Sequence, residues 1–330
     1  RLSDHAAMTD TALDLLERLG DADWHTGPSL SAALGVSRTA VWKQVETLRE
    51  AGLPIESDSH RGYRLERRIE RLDAPAIRRG LDPAIDVQVL ERCDSTNAAL
   101  AGDGFAHRRA VLAEWQGAGR GRRGRSWTAP PGTSIALSFG YRFDVGLPRL
   151  GALSLVAGVA AARALTGLGV PGIGLKWPND LVADGRKLGG LLVELQGVVD
   201  GPCDVVVGLG VNVWMPPGAA RAIDQPWIDL CTLGTGPERR NRVASALIEA
   251  LDGACARLQN EGFGALKAEW SDLDVLQGRA VRVERGDGTS IDGVADGISE
   301  RGGLWVRVGD GDRVQRQEFS AGEVSLRGRE

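Results

Sequence analysis

One heptapeptide constrains this chain more than any other: Gly119-Arg120-Gly121-Arg122-Arg123-Gly124-Arg125. Four guanidinium groups among three glycines cannot be packed into a core, and their like charges repel one another. The segment is therefore read as a surface loop that is mobile until a polyanion organises it. Glycine lets a ligand approach the backbone closely, and arginine chelates phosphate or carboxylate oxygens. It is not a Walker loop, because the required lysine and the following helix are missing. Taken alone, the seven residues also suit a nonspecific RNA-contacting patch. Their position between two predicted strands, just after Trp115-Gln116, favours a built ligand site.

Around this loop the hydrophobic pattern predicts a strand from Ile85 to Glu91, a helix from Ser95, and strands at Arg109–Gln116 and Thr133–Phe143. A helix at Leu150–Leu165 and several strands up to Trp214 follow. Asp184-Gly185 marks a two-residue hairpin between Leu181–Ala183 and Lys187–Leu195. Strands joined by hairpins, with helices to one side, imply an α+β fold with a mixed sheet.

In Lys176-Trp177-Pro178-Asn179-Asp180 the proline cannot continue a central strand, so the chain turns and leaves Asn179 and Asp180 at a strand end. There a carboxylate serves to hold magnesium or orient a basic neighbour, or the segment is a plain Asx turn. Lys187 opens an apolar strand and is solvated unless it pairs with an anion. Asp94-Ser95-Thr96-Asn97 reads as a helix cap whose groups equally suit a polar ligand head group. Gly208-Leu209-Gly210-Val211-Asn212, at the end of a buried strand, is as weak in isolation.

Residues 1–66 read separately. A helix from Asp10 to Leu19, a short one after Gly27-Pro28 broken at Gly35, and a third capped by Ser37 and running to Glu50 precede a hairpin. The hairpin strands lie around Ile55 and Tyr63–Leu65, with His60, Arg61 and Gly62 in the turn. This is the layout of a winged helix-turn-helix, and a small helical domain for protein contacts is its alternative. Ser37, Arg38, Thr39 and Lys43 on the third helix, with Arg61 and Arg64 on the wing, are the candidate DNA contacts. From Leu34 to Arg68 seven basic residues face five acidic ones, so the pattern, not the charge, carries this expectation. One lightly charged module makes few phosphate contacts, so site affinity would lean on dimerisation.

The remaining bounds are broad. A chain of 330 residues with net charge −4 implies two or three domains and no global attraction to nucleic acid. Cys93, Cys203, Cys231 and Cys255 lie far apart without a CxxC pair, which argues against zinc or disulfides and for a reducing cytoplasm. No apolar stretch is expected to reach a membrane span, and Leu150–Ala162 reads as a buried helix. The first residues lack a signal-peptide pattern, and Met8 is a candidate start. From Gln277, short strands at Ala280–Glu284, Ser290–Ile298, Leu304–Val308 and Arg316–Leu326, punctuated by Gly286, Gly288, Gly302-Gly303 and Gly309-Asp310-Gly311, suggest a small SH3-like barrel. The domain division is 1–66, 67–272 and 273–330, with Arg67-Arg68 in a linker.

Together these segments resemble the biotin–protein ligases, specifically their bifunctional class, which also act as biotin operon repressors. The resemblance rests on Asp94–Asn97, Gln116 leading into Gly119–Arg125, Lys176–Asp180, Arg186-Lys187-Leu188-Gly189-Gly190 and Gly208–Asn212, in that order. It implies a winged helix-turn-helix, a class II synthetase-like ligase domain and an SH3-like C-terminal module. It further implies ATP-dependent formation of biotinyl-5′-AMP with Mg²⁺. Biotin then passes to a lysine of the biotin carboxyl carrier protein of acetyl-CoA carboxylase, and a ligand-promoted homodimer binds operator DNA in the cytoplasm.

By this resemblance Ser95, Thr96, Asn97 and Gln116 contact the biotin rings, while Arg120, Gly121 and Arg122 close over biotin and phosphates. Lys187 meets the biotin carboxylate. Arg122, Arg123, Arg125, Asn179, Asn212 and Trp227 serve ATP, and Asp180 serves the metal. Lys187, Arg122 and Asp180 are the catalytic set. Gly117 departs from the pattern, in a slot that often holds a second polar residue. A lipoate–protein ligase and a biotin sensor without turnover are the two alternatives; the arginine loop and Lys176–Asp180 speak against the first, Lys187 and the intact loop against the second.

Overall fold

The computed structural model describes residues 8–102, 105–198, 200–220, 223, 225–285, 289–309, 314–320 and 324–328. Its three N-terminal helices each begin on a hydroxyl cap. Thr9 accepts from the Ala12 N–H at α1 (Asp10–Leu19), Thr26 from Ser29 at α2 (Gly27–Leu34), and Ser37 from Ala40 at α3 (Arg38–Glu50). α2 stops at Gly35, whose φ of 65° is open to glycine without strain. The residues at helical spacing, Leu13, Leu16, Leu30, Val41, Val45 and Leu48, bury together. β1 (Ile55–Asp58) and β2 (Gly62–Leu65) pair antiparallel, with Ile55 opposite Leu65. This wing lies tightly on the helices: a Cβ at Gly62 would fall 2.0 Å from the His25 carbonyl oxygen. His25 and Tyr63 exchange backbone hydrogen bonds of 2.9 Å, and the unit is a winged helix-turn-helix.

After α4 (Ala74–Arg78) comes a seven-stranded sheet. Its strands are β3 (Asp86–Cys93), β4 (Arg109–Gln116), β5 (Ser134–Phe143), β6 (Ile173–Lys176), β7 (Asp180–Ala183), β8 (Arg186–Gly197) and β9 (Cys203–Asn212). The order is β3-β4-β5-β9-β8-β7-β6, with β3–β4 parallel through α5 (Thr96–Gly102) and the other neighbours antiparallel. Period-two alternation sends Ile135, Leu137, Phe139 and Phe143 of β5, with Val205, Val207 and Val211 of β9, into one core. α6 (Leu153–Gly167), α8 (Arg240–Glu261) and α9 (Phe263–Ser271) cover that face, and the short α7 (Pro217–Ala220) follows β9. The strand-and-turn pattern did not anticipate α8 and α9, although Val243, Leu247, Leu251 and Leu258 recur at helical spacing and are buried.

The membrane expectation needs correction: Leu147–Gly167 is 21 residues long and apolar enough, by length and composition, to cross a membrane. Burial of 61% of its most apolar window in the core explains that apolarity instead.

Residues 67–73, in the expected linker region, are tied down on both sides. The Ile69 N–H donates to Gly20, Glu70 to Pro237, and Asp73 to the Asn241 side chain. Fully buried Arg240, in the first turn of α8, donates to the Glu70 carbonyl at 2.8 Å, to Ser134 at 3.1 Å and to the Glu114 carboxylate at 2.7 Å. Glu114 in turn accepts from the Leu72 N–H at 2.5 Å. Trp214, just past β9, sits in the core of the N-terminal helices, so the two units share a packed boundary.

The C-terminal strands are β10 (Ala280–Arg285), β11 (Ser290–Ile298), β12 (Leu304–Val308), β13 (Gln315–Phe319) and β14 (Val324–Gly328), antiparallel in the order β13-β12-β11-β10-β14. The single strand expected over Arg316–Leu326 is therefore two. β13 pairs with β12 at one edge and β14 with β10 at the other, and one strand cannot occupy both edges. Gly302 takes a turn conformation with φ 81° and Gly309 one with φ 101°; the expected turns at Gly286, Gly288 and Asp310-Gly311 lie outside the described residues. Val281, Val306 and Phe319 join the central core, so this sheet is packed onto its neighbour.

Candidate functional site

The sheet face opposite α6 and α8 carries a cavity floored by Ala136, Gly190, Gly208 and Gly210. Small residues leave a flat surface on which neighbours lie close. A Cβ at Gly208 would sit 2.3 Å from Asn97 Oδ1, and one at Gly210 would sit 2.6 Å from the Trp127 ring.

Ser95, Thr96 and Asn97 are buried at the start of α5 and line one end of this cavity together with Gln116. Gln116 Oε1 accepts from the Thr96 N–H at 2.8 Å and lies 3.2 Å from its hydroxyl. The Ser138 hydroxyl lies 2.7 Å from Thr96 Oγ1 and 2.5 Å from Asn97 Oδ1, and Asn97 Nδ2 donates to Glu194 at 2.8 Å. Ser138 and Glu194 escaped the sequence reading, although a fully buried hydroxyl mid-strand and a carboxylate beside Leu192 and Val193 are both conspicuous by composition.

The arginine loop contributes Arg120, Gly121, Arg122, Arg123 and Arg125 to the lining. It forms a folded-back loop. The Trp127 N–H donates to Gly119 at 2.8 Å, Gly121 N–H donates to Arg125 at 2.7 Å, and Arg122–Gly124 makes a 3-10 turn. Burial holds the Arg122 guanidinium below its usual pKa, Arg123 and Arg125 push the same way, and Asp180 opposes them. A cation held at such cost among cations favours an incoming anion. Trp127, also missed, lines the cavity with its indole N–H buried and unpartnered.

At the other end Lys187 Nζ lies 2.7 Å from Asp180 Oδ1 across the β7–β8 pair, both side chains about four-fifths buried. Asn179 lines the same wall, and its amide donates to Leu191 at 2.6 Å. Trp177 is buried and donates its indole N–H to the Gly302 carbonyl at 2.9 Å, which ties this segment to the C-terminal sheet. Asn212 and Trp227 do not line the cavity. Asn212 donates to Ile228 at 3.1 Å, and residues 226–228 run beside Lys187, so this stretch buttresses the lysine.

Among the described residues no cluster of three His, Cys, Asp or Glu is placed to hold a metal, and Asp180 is the one carboxylate lining the cavity. That donor set fits magnesium as an ion carried on nucleotide phosphates, which needs only one or two protein carboxylates.

On the outer face of α3, Arg38, Thr39 and Lys43 are exposed, beside Trp42 at 52% exposure. The Ser37 hydroxyl is taken up by its cap. On the wing the Arg61 guanidinium stacks 4.1 Å from the Trp24 ring centre and lies 3.6 Å from Asp58, which holds it over the turn.

Residues 11–64 match a helix-turn-helix domain family, residues 89–212 the biotin/lipoate A/B protein ligase family, and residues 277–327 the biotin protein ligase C-terminal domain. The bifunctional ligase/repressor BirA of Salmonella typhimurium is 38% identical over 98% of this chain and 100% of its own length. That of Bacillus subtilis is 30% identical over 90% of this chain and 94% of its own. The biotin–[acetyl-CoA-carboxylase] ligase of Mycobacterium tuberculosis is 37% identical over 72% of this chain and 88% of its own. The biotin protein ligase of Aquifex aeolicus, solved in complex with biotin and ATP, shares the fold with a TM-score of 0.61 at 24% identity, over 74% of this chain and 99% of that one.

Proposed function

This chain belongs to the bifunctional biotin ligase/repressor family, and we propose from its site that it joins biotin to ATP, passes biotin to a carrier lysine, and binds operator DNA. One observation carries the ligase reading. A polar, buried end, a lysine–aspartate pair and four arginines all line one cavity.

Ser95, Thr96, Asn97 and Gln116 hold the biotin rings, and Lys187 meets the biotin carboxylate. Arg122, Arg123 and Arg125 hold the ATP phosphates with Asn179 beside them, and Asn212 and Trp227 serve the nucleotide from behind Lys187, whose backbone their stretch braces. The carboxylate oxygen attacks the α-phosphorus, a C–O–P bond forms, and pyrophosphate leaves. The carrier amine then attacks the acyl carbon, loses a proton, and AMP leaves. No enzyme nucleophile is required. The difficulty is bringing an anion to a polyanion, and half-buried Arg122 with Lys187, about four-fifths buried, offsets that repulsion. Magnesium supplies further charge neutralisation when bound with the nucleotide, and Asp180 is the residue to hold it. Arg120, Gly121 and Arg122, folded over the mixed anhydride, exclude the water that would hydrolyse it.

The carrier is the biotin carboxyl carrier protein of acetyl-CoA carboxylase, and the setting is the cytoplasm. Arg38, Thr39 and Lys43 meet the major groove with Ser37 at the helix start, and Arg61 meets the adjoining backbone. Two half-sites require a dimer. β8 supports one, because β7 accompanies it only to Gly190, and from Leu192 to Gly197 the edge away from β9 has no strand beside it among the described residues. The domains are 1–66, 67–272 and 273–330. Incubation with ATP, biotin and the carrier should produce biotinylated carrier detectable by streptavidin blot, and none without ATP. Carrier left unmodified would refute the ligase reading.

Two variants probe the arrangement further. Gly208→Ala places a methyl group against Asn97 and should raise the biotin KM about tenfold, one polar contact's worth, with the ATP KM little changed. Deleting residues 1–66 should abolish DNA retardation in gels. It should also cost the ligase about 3 kcal/mol or more of stability, because Ile69 and Trp214 lose their cover. Denaturant titration of the truncated chain measures the second effect.

A further inference from the structure

We propose that Glu194 is a positioning residue that couples the ring-binding end of the cavity to the arginine loop. Its two oxygens serve two masters. Oε2 accepts from Asn97 Nδ2 at 2.8 Å, and Oε1 lies 3.4 Å from Arg120 Nη2. Contacts therefore run unbroken from Gln116 through Thr96, Ser138 and Asn97 to Glu194 and on to the loop, each within 3.4 Å.

The Ser138 hydroxyl has one proton for two acceptors, Thr96 Oγ1 and Asn97 Oδ1, so moving either partner re-routes the chain of bonds. The neighbours of Glu194 on β8 are Leu191, Leu192, Val193 and Leu195, where a carboxylate contributes nothing to packing. Leu192, two residues earlier on the same strand face, lines the cavity.

The two links differ in strength. The Arg120–Glu194 pair is long, with side chains 49% and 39% exposed, and such pairs are weak. The Asn97 bond is short, and Asn97 is buried. A ligand anion can therefore draw Arg120 away from Glu194 while Asn97 stays aimed at the rings. In the free protein Glu194 keeps the loop near the cavity; in the loaded one it yields Arg120 to the ligand.

The test uses limited trypsin digestion of the full chain without ligand, with cleavage inside residues 119–125 as the readout. Glu194→Gln keeps an acceptor for Asn97 and removes the charge that tethers Arg120. It should be cut about two- to fivefold faster than wild type at an unchanged thermal midpoint, the scale of an ion pair this exposed. In an Arg120→Gln background the same change should add nothing. Glu194→Ala removes both links, and calorimetry should show biotin binding weakened well beyond that of Glu194→Gln. Cleavage of Glu194→Gln at the wild-type rate, or additive effects in the double variant, would overturn the coupling. The calorimetric arm rests on the biotin reading of the site. Wild-type protein that binds no biotin refutes that reading, while the digestion arm still decides the tether.

Discussion

Replacing Lys187 with methionine lowers biotin-dependent ATP–pyrophosphate exchange by about 10²–10³-fold, the scale seen when one preorganised charge-stabilising group is removed. The lysine head lies on the cavity wall, paired with Asp180 at 2.7 Å and braced by the Pro226–Ile228 backbone on its own N–H and carbonyl. Methionine keeps the stem and its packing, so the fold stays intact. What disappears is the cation facing the reacting carboxylate. Asp180 is left as an uncompensated anion where phosphates must approach, and its repulsion adds to the loss. Lysine→arginine at the same position should retain part of the activity, because the charge survives while the geometry changes. Exchange within tenfold of wild type in Lys187→Met would remove this residue from the chemistry.

Arg240→Met should destabilise the chain by about 3–5 kcal/mol, the cost of stranding one partner of a buried ion pair. Arg240 is fully buried and donates to Glu114 and to two backbone carbonyls, so its removal leaves the Glu114 carboxylate without its cation and the Glu70 and Ser134 carbonyls short of a donor. Adding Glu114→Gln should recover part of the loss, since a neutral amide tolerates burial better and its carbonyl can still accept from Leu72. Denaturant titration of the two variants measures both numbers. Glu114 stands two residues before Gln116 on β4, so Arg240→Met should also weaken biotin binding, an effect calorimetry can separate from stability.

The winged helix, the strands through β9 and the outer ends of the cavity were legible because each carries a local signal. Thr9, Thr26 and Ser37 are caps, Gly35 is a left-handed stop, and Asp184-Gly185 is a hairpin turn with both residues at positive φ. The arginine loop and Lys176–Asp180 announce themselves by residues a core would reject. What escaped depends on long-range contact. The welded arm at residues 70–73 is set by Arg240, some 170 positions away, and Ser138 matters only because folding lays β5 beneath α5. The split of Arg316–Leu326 into β13 and β14 is a question of which sheet edge each half joins, and no periodicity encodes that. Asn212 and Trp227 were placed by resemblance to the family; here they stand behind Lys187, outside the cavity lining.

The central claim is that this cavity activates the biotin carboxylate with ATP. Biotin and lipoate offered separately to the full-length chain, with ATP, magnesium and labelled pyrophosphate, test it most directly. The account predicts label entering ATP with biotin and almost none with lipoate, because Ser95, Thr96, Asn97 and Gln116 make this end of the cavity polar, which suits a ring bearing hydrogen-bonding atoms better than an apolar one. Exchange with lipoate equal to or above that with biotin, or no exchange with either, would contradict it.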